Sequence, residues 1–269
     1  MNTEAVAHYI AEWMSGYLDG TGAAGFVVGV SGGIDSAVVS TLAAMTGRRT
    51  LCVTLPIHQV QAQVDRAGEH VRRLTERYSN AEAAHADLTA AYDAFAGSFA
   101  PSLVQGAGKG VADLAGANAR SRLRMTALYY FAGLNNLLVV GTGNKIEDFG
   151  VGFFTKYGDG GVDISPIADL TKTEVYGRWL GVPEAILAAP PTDGLFGDDR
   201  TDEQQIGATY PELERAMAHA ERGTDPALLS GREREVYDIF LRRNRANRHK
   251  MEPIPVCRIP RHLVEPAGR

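Results

Sequence analysis

Apolar positions along this chain switch repeatedly between two spacings. In residues 2–18, Val6, Ile10, Trp13, Met14 and Tyr17 recur at helical intervals. A short unbroken apolar run at 26–30 (FVVGV) then reads as a buried strand. From Ile34 the helical spacing returns, with Ile34, Ala37, Val38, Thr41, Leu42 and Met45 on one face and Gly47 as a stop signal. A second strand is expected at 51–55, ended by Pro56. A helix follows over 60–78, and another over the alanine-rich stretch 81–96. Residues 97–111, rich in glycine and proline, read as a mobile loop. Beyond them the pattern predicts a long helix over 111–134 and a strand at 137–141. The C-terminal part past residue 171 looks helical, with a Pro/Gly/Asp-rich interruption at 190–201.

Strands that alternate with helices of this length predict an α/β fold, a doubly wound, mostly parallel sheet flanked by helices on both faces. Ligands in such sheets sit at the carboxyl ends of the strands. Two polar loops occupy that place, one after Val30 and one over 142–163 after Val140. No internal repeat or low-complexity linker divides the chain, so residues 1–269 are read as one domain.

Composition narrows the function classes. Of 269 residues, 45% are hydrophobic and 22% charged, with a formal net charge of −5, which argues against holding nucleic acid by bulk charge. No apolar run approaches the roughly 20 residues needed to cross a bilayer. The N-terminal stretch lacks a basic start followed by an apolar core, so it does not read as a secretory signal. Cys52 and Cys257 share no close spacing and belong to no Cys/His cluster, so neither zinc nor a disulfide framework is expected. Both read as buried packing residues. These observations suit a reduced, cytoplasmic enzyme without nucleic-acid or membrane partners.

Ser31-Gly32-Gly33-Ile34-Asp35-Ser36 lies between the first strand and its helix. Glycines let a backbone approach a phosphate closely, and a helix start offers unpaired N–H groups with partial positive charge. Ser31 and Ser36 add hydroxyl donors. A carboxylate at Asp35 would repel phosphates unless magnesium lies between, since that ion favours both kinds of oxygen. The plainer alternative is a small-residue turn with Asp35 as a helix-start residue. Gly106–Gly110 (GAGKG) lacks the full P-loop spacing and follows no strand, so it reads as loop.

The segment 141–163 (GTGNKIEDFGVGFFTKYGDGGVD) carries the acidic pair Glu147 and Asp148, then Lys156, Tyr157, Asp159 and Asp163. Its glycines let the backbone fold tightly round a polar ligand. Lys156 and Lys172 suit phosphates, while Asp159 and Asp163 suit ribose hydroxyls or ammonium. A solvated loop with surface charges is the alternative for any one of them. The interleaved Phe149, Phe153, Phe154 and Tyr157 count against it for the block.

The run SGGIDS after FVVGV resembles the pyrophosphatase-type loop of the ATP pyrophosphatase superfamily. That resemblance implies an adenine nucleotide alpha hydrolase-like fold and cleavage of ATP between its α and β phosphates, with adenylation of the other substrate. The segment 141–163, with its sequel 164–173 (ISPIADLTKT), is similar to the deamido-NAD-binding and catalytic region of NAD synthetases. Matching stretches at 55–59 (LPIHQ), 121–130 (SRLRMTALYY), 190–214 (PPTDGLFGDDRTDEQQIGATYPELE) and 249–257 (HKMEPIPVC) extend the resemblance over about residues 26–257. With no room for a glutaminase domain, the match is to the short, ammonia-using form.

What the resemblance implies can be carried residue by residue. Gly29, Ser31, Gly32, Gly33, Asp35, Ser36, Thr142 and Thr192 fall to ATP. Asp35 and Glu147 fall to magnesium, with Asp148 as the substitute, because one extra residue separates Glu147 from the GFF triplet. Asn118, Arg122, Lys156, Asp159, Asp163, Lys172, His249 and Lys250 fall to deamido-NAD, and Asp159 and Lys172 also to catalysis. The implied reaction converts deamido-NAD, ATP and ammonia into NAD, AMP and pyrophosphate through an acyl-adenylate, in a homodimer. The stretches 97–111 and 193–203 are placed to act as lids. Arg120, Arg122 and Arg124 alternate along a helix and cannot all face one ligand. His249 and Lys250 share a basic stretch for which a solvated helix face is the alternative, and His58 reads as packing near the adenine. Two other readings stand beside this one: a paralogue that adenylates another carboxylic acid, and a non-catalytic ATP-binding subunit.

Overall fold

The computed structural model describes residues 2–106, 108–175, 180–192, 201–260 and 263–264. Its first half runs α1 (Thr3–Asp19), β1 (Gly25–Gly29), α2 (Ile34–Met45), β2 (Arg49–Thr54), α3 (Gln61–Arg77) and β3 (Ala81–His85). Then come α4 (Thr89–Gly97), α5 (Pro101–Gln105), α6 (Lys109–Asn135) and β4 (Leu137–Val140). The second half is helical, with a π-helix at Ile146–Val151, α7 (Glu184–Leu187), α8 (Asp202–Ile206), α9 (Tyr210–Glu221) and α10 (Gly231–Met251).

The four strands form one sheet in the order β3-β2-β1-β4, and every pairing is parallel. Val27 of β1 pairs with Leu51 of β2 on one side and Val139 of β4 on the other. Successive side chains of a strand point to opposite faces, and both faces here are covered. Phe26 and Val28 join the core made with Met14 of α1 and Leu42 of α2. Val27 joins Leu51, Val53 and Val139 in a second core with Ala132 of α6. Phe26, Val27 and Val28 have no exposed surface, and burying each such side chain contributes roughly 1.5–3 kcal/mol. The unbroken apolar run 26–30 follows from this two-sided burial.

The expected helix over 81–96 is instead β3 followed by α4. Ala81–His85 lies along β2 in register, Cys52 opposite Ala83, and the Arg49 guanidinium bonds Glu82 at 2.8 Å. Ladder pairing overrides the helical preference of alanine and glutamate there. Residues 97–111 also hold more structure than expected, since Pro101 opens the short α5 and α6 starts at Lys109. The proposed lid at 193–203 and the helical stretch past 171 fall partly outside the described residues, at 193–200 and 176–179. Among the described residues no helix is long and apolar enough to cross a membrane.

Candidate active site

Strand order reverses between β1 and β4, so the connections leaving their carboxyl ends diverge and leave a crevice, the position where open α/β sheets bind ligands. A cavity of about 460 Å³ opens there. Its walls include the loop 31–36 after β1, Thr142 and Gly143 after β4, Lys172 and Thr192.

The loop after β1 is held by its own serines. Ser36 Oγ accepts the Ser31 N–H at 3.2 Å and donates to the Gly33 carbonyl at 3.0 Å, and the two serine hydroxyls meet at 3.1 Å. Gly32 has φ of +84°, and a Cβ there would stand 2.6 Å from the Gln63 carbonyl of α3. Only glycine permits that conformation and that approach. Gly33 caps α2 with no side-chain hydrogen bond to the helix. The first amides of α2 are therefore left for an anion.

At the same helix start, the Lys172 ammonium bridges two carboxylates. It donates to Asp35 Oδ2 and, at 3.1 Å, to Glu147 Oε1, with all three side chains only 11–16% exposed. Burial pushes the Asp35 carboxyl up to about 6, against the pull of Lys172. Burial acts the same way on Glu147, but Lys172 and the Tyr210 hydroxyl hold it below its ordinary value. Burial alone would lower Lys172, and the two carboxylates raise it well above the lysine range. The lysine stays charged, and the pair shares one cation.

The π-helix explains how Glu147 reaches this position. A π-turn accommodates one residue more than an α-turn, and such turns recur at functional sites. The segment closes on Gly152 at φ of +63°. Asn144 caps it, its Oδ1 accepting the Ile146 and Glu147 N–H groups at 3.2 Å each. Glu147 is thereby brought to Asp35, whereas Asp148 lies against Gly143, where a Cβ would stand 2.1 Å from its Oδ2. Burial, then the charges of Glu147, Asp159 and Asp35, push the Asp148 carboxyl up to about 8. Asp159 is fixed by the Ser121 hydroxyl at 2.7 Å and the Thr155 N–H at 2.9 Å. Enclosure at the cavity wall raises its carboxyl although the residue keeps an exposed edge, and the Ser121 bond opposes that rise.

Gly29, Ser31, Gly32, Gly33, Asp35, Ser36, Thr142, Glu147, Asp159, Lys172 and Thr192 all line this cavity. Asn118, Arg122, Lys156, Asp163, His249 and Lys250 are not among the lining residues. Asn118 accepts from Thr155 Oγ1 at 2.6 Å, and Arg122 donates to the Lys156 carbonyl at 3.2 Å. The Lys156 ammonium donates to the His249 carbonyl, and Lys250 to the carbonyls of Gly152 and Phe154. These ties fasten α10 to the loop before Asp159. Asp163 accepts the Val139 N–H at 2.7 Å and the Tyr129 hydroxyl at 3.0 Å, so it braces β4. His58 pairs with Asp93 at 2.7 Å and is exposed. Cys52 is buried as expected, but Cys257 is exposed, because the chain past α10 covers nothing there. Ser121, Asn144, Asp202 and Tyr210 carry polar contacts at the site that spacing did not single out. The Thr209-x-x-Glu212 capping signature was the usable clue, since it places Tyr210 at the first position of α9.

Two carboxylates alone make a poor metal cage, and the described residues contain no cluster of three or more His, Cys, Asp or Glu that could hold an ion. The donor set nevertheless fits magnesium as it is held beside nucleotides, by one or two carboxylates plus phosphate oxygens. Asp35 Oδ1 is buried with no hydrogen-bond partner, and an unmet buried acceptor of that kind suits a cation.

Residues 6–254 match the family model described as NAD synthase. The NH3-dependent NAD+ synthetase of Syntrophomonas wolfei is 39% identical over 265 residues, spanning 98% of this chain and 99% of that protein. The NH3-dependent NAD+ synthetase of Carboxydothermus hydrogenoformans is 36% identical, spanning 93% and 96%. Among solved structures, the NMN synthetase from Francisella tularensis is similar with a TM-score of 0.82 at 30% identity, covering 96% of this chain and all of that one.

Proposed function

Because the chain belongs to the NAD synthase family, we infer that it makes NAD by amidating deamido-NAD with ammonia, splitting ATP to AMP and pyrophosphate. The observation that carries this reading is that an uncapped helix start at Gly33 and the Asp35–Lys172–Glu147 cluster line one cavity. It is what cleavage between the α and β phosphates asks for: donors for the leaving pyrophosphate, and beside them a fixed cation with two carboxylates.

A carboxylate resists ammonia because its leaving group would be oxide. In the proposed first step a nicotinate carboxylate oxygen attacks the α-phosphorus and the bond to the bridging oxygen breaks, releasing pyrophosphate. Ser31, Gly33 and the first amides of α2 bind that pyrophosphate, with Gly29, Gly32, Ser36, Thr142 and Thr192 shaping the nucleotide's bed. Asp35 and Glu147 would hold magnesium, which would supply neutralisation of phosphate charge. Lys172 steadies negative charge at the reacting centre. In the second step ammonia attacks the acyl carbon, AMP departs, and the nitrogen sheds its extra proton. Asp159 stands at the cavity wall to hold ammonium or take that proton.

Asn118, Arg122, Lys156, Asp163, His249 and Lys250 remain candidates for the dinucleotide's far end, reached in a homodimer. Exposed Phe95 on α4, Phe99 just after it, and Leu114 and Tyr130 on α6 support such an assembly, since apolar surface of this kind is commonly covered. One observation favours a second acceptor, nicotinate mononucleotide: the similarity to the Francisella enzyme. Purified protein with magnesium-ATP and ammonium, given each acceptor separately, decides between them. Deamido-NAD is expected to yield NAD, AMP and pyrophosphate in equal amounts, all lost in Asp35→Ala. Faster amidation of the mononucleotide would transfer the assignment to it, and no ATP cleavage with either would refute both.

A further inference from the structure

We propose that Tyr210 is a positioning residue of this site, holding Glu147 and Lys172 in place from the start of α9. Tyr210 is 3% exposed. Its hydroxyl donates to Glu147 Oε1 at 2.5 Å and lies 3.3 Å from Asp202 Oδ2, while the Lys172 ammonium stands 5.1 Å from its ring centroid. A single side chain thus meets both Glu147 and Lys172. Packing alone would be met by phenylalanine, since a buried hydroxyl costs free energy unless it is bonded. The hydroxyl has one proton, and the nearer carboxylate takes it. Glu147 Oε1 therefore receives two donors, the phenol and the ammonium, which fixes the plane of the carboxylate.

The backbone round Tyr210 is equally determined. Thr209 and Glu212 form a capping box that sets the first turn of α9. The Tyr210 N–H donates to Glu203 Oε1 at 2.9 Å, so α8 and α9 are joined at this residue. Asp202 in turn donates its N–H to the Pro191 carbonyl at 3.1 Å, next to Thr192 on the cavity wall. Tyr210 consequently links the metal-facing carboxylate to the point where the chain returns beside Thr192.

The proposal rests on the ATP site inferred above, and its test is chosen to fail separately from it. Manganese serves as a spin-active substitute for magnesium, and α,β-methylene-ATP as a nucleotide that cannot be cleaved. Manganese affinity in that complex is measured by electron spin resonance for the native chain, Tyr210→Phe, Glu147→Gln and the double variant. Loss of a hydrogen bond to a charged group is expected to weaken manganese roughly 10-fold or more in Tyr210→Phe. In the Glu147→Gln background the same change is expected to cost less than about 2-fold, since the phenol acts through that carboxylate. An equal loss in both backgrounds, or none in either, overturns the proposal while the ATP site stands. Failure of the native chain to bind the manganese complex overturns the site and the proposal together. Should Tyr210→Phe not fold, a crystal structure of the native chain with magnesium and the analogue decides. The phenol bonded to Glu147 supports the proposal, and a broken contact there overturns it.

Discussion

The Lys172 ammonium lies 3.1 Å from Glu147 Oε1, joining the segment after β4 to a residue 25 positions further on. The same nitrogen reaches Asp35 at the start of α2. This cation is what allows two nearly buried carboxylates to stand together, and the site's first testable property follows from it.

Lys172→Ala leaves Asp35 and Glu147 facing each other without a cation. Removing one partner of a buried ion pair typically costs about 3–5 kcal/mol. Urea unfolding at neutral pH is expected to show a loss of that order, with turnover abolished. Added magnesium is expected to restore part of the stability but not the activity. Unchanged unfolding would mean the carboxylates do not depend on this lysine.

Gly32 and Gly47 share a positive φ, +84° and +71°, but not their surroundings. A Cβ at Gly32 meets the Gln63 carbonyl at 2.6 Å and the Ala67 nitrogen at 3.2 Å, while at Gly47 it meets nothing within 4 Å. Gly47→Ala is expected to cost about 1–2 kcal/mol from conformation alone. Gly32→Ala is expected to cost more and to abolish binding of a nucleotide analogue, because α3 cannot move without disturbing the loop. Thermal unfolding and calorimetric titration of both variants check this.

His70 is buried against Ser40, and burial pushes its imidazole down to about 4. Between pH 4 and 6.5 the unfolded chain binds a proton that the folded chain refuses, so stability falls as pH drops through that window. The group's share is of order 3 kcal/mol. His70→Gln is expected to flatten the pH dependence of the urea midpoint between those values. A slope as steep as the native one would contradict the assignment.

Asp148 behaves in the opposite sense. Its carboxyl, pushed up to about 8, keeps a proton that the unfolded chain has lost above about pH 4. Stability from this group is complete at low pH and is lost as pH rises towards 8. Asp148→Asn cannot ionise, and is expected to stabilise the ligand-free chain by about 2–4 kcal/mol at pH 7. A stabilisation equal at pH 5 and pH 8 would show that ionisation is not the cause.

Much of this was legible in the sequence where one physical cause dominated. FVVGV is apolar at every position because both faces of β1 are covered, and SGGIDS follows at the strand's carboxyl end, where the switch in strand order opens the crevice. Ala81–His85 reads as helical because its strand form comes from pairing with β2, a partner 31 positions away that local spacing does not register. Glu147 and Asp148 stayed indistinguishable for a similar reason. Adjacent acidic residues are equivalent as text, and the π-helix decides which carboxylate meets Lys172. Tyr210 was passed over because a tyrosine at a helix start ordinarily signals packing, and its hydroxyl's partners come from 63 and 8 positions away. Lys156 reads as a phosphate ligand by charge and Lys250 as a dinucleotide contact by resemblance, and in the ligand-free chain both ammonium groups donate to backbone carbonyls.

The most direct test of the central claim follows one oxygen atom. Deamido-NAD carrying heavy oxygen in its nicotinate carboxylate is converted with magnesium-ATP and ammonium, and the products are weighed by mass spectrometry. Attack of that carboxylate on the α-phosphorus requires one labelled oxygen to leave with AMP and none with pyrophosphate. Label in AMP, matched to NAD formed, is the expected result. Unlabelled AMP, or label released only as water, would contradict an acyl-adenylate formed at the Asp35–Lys172–Glu147 site.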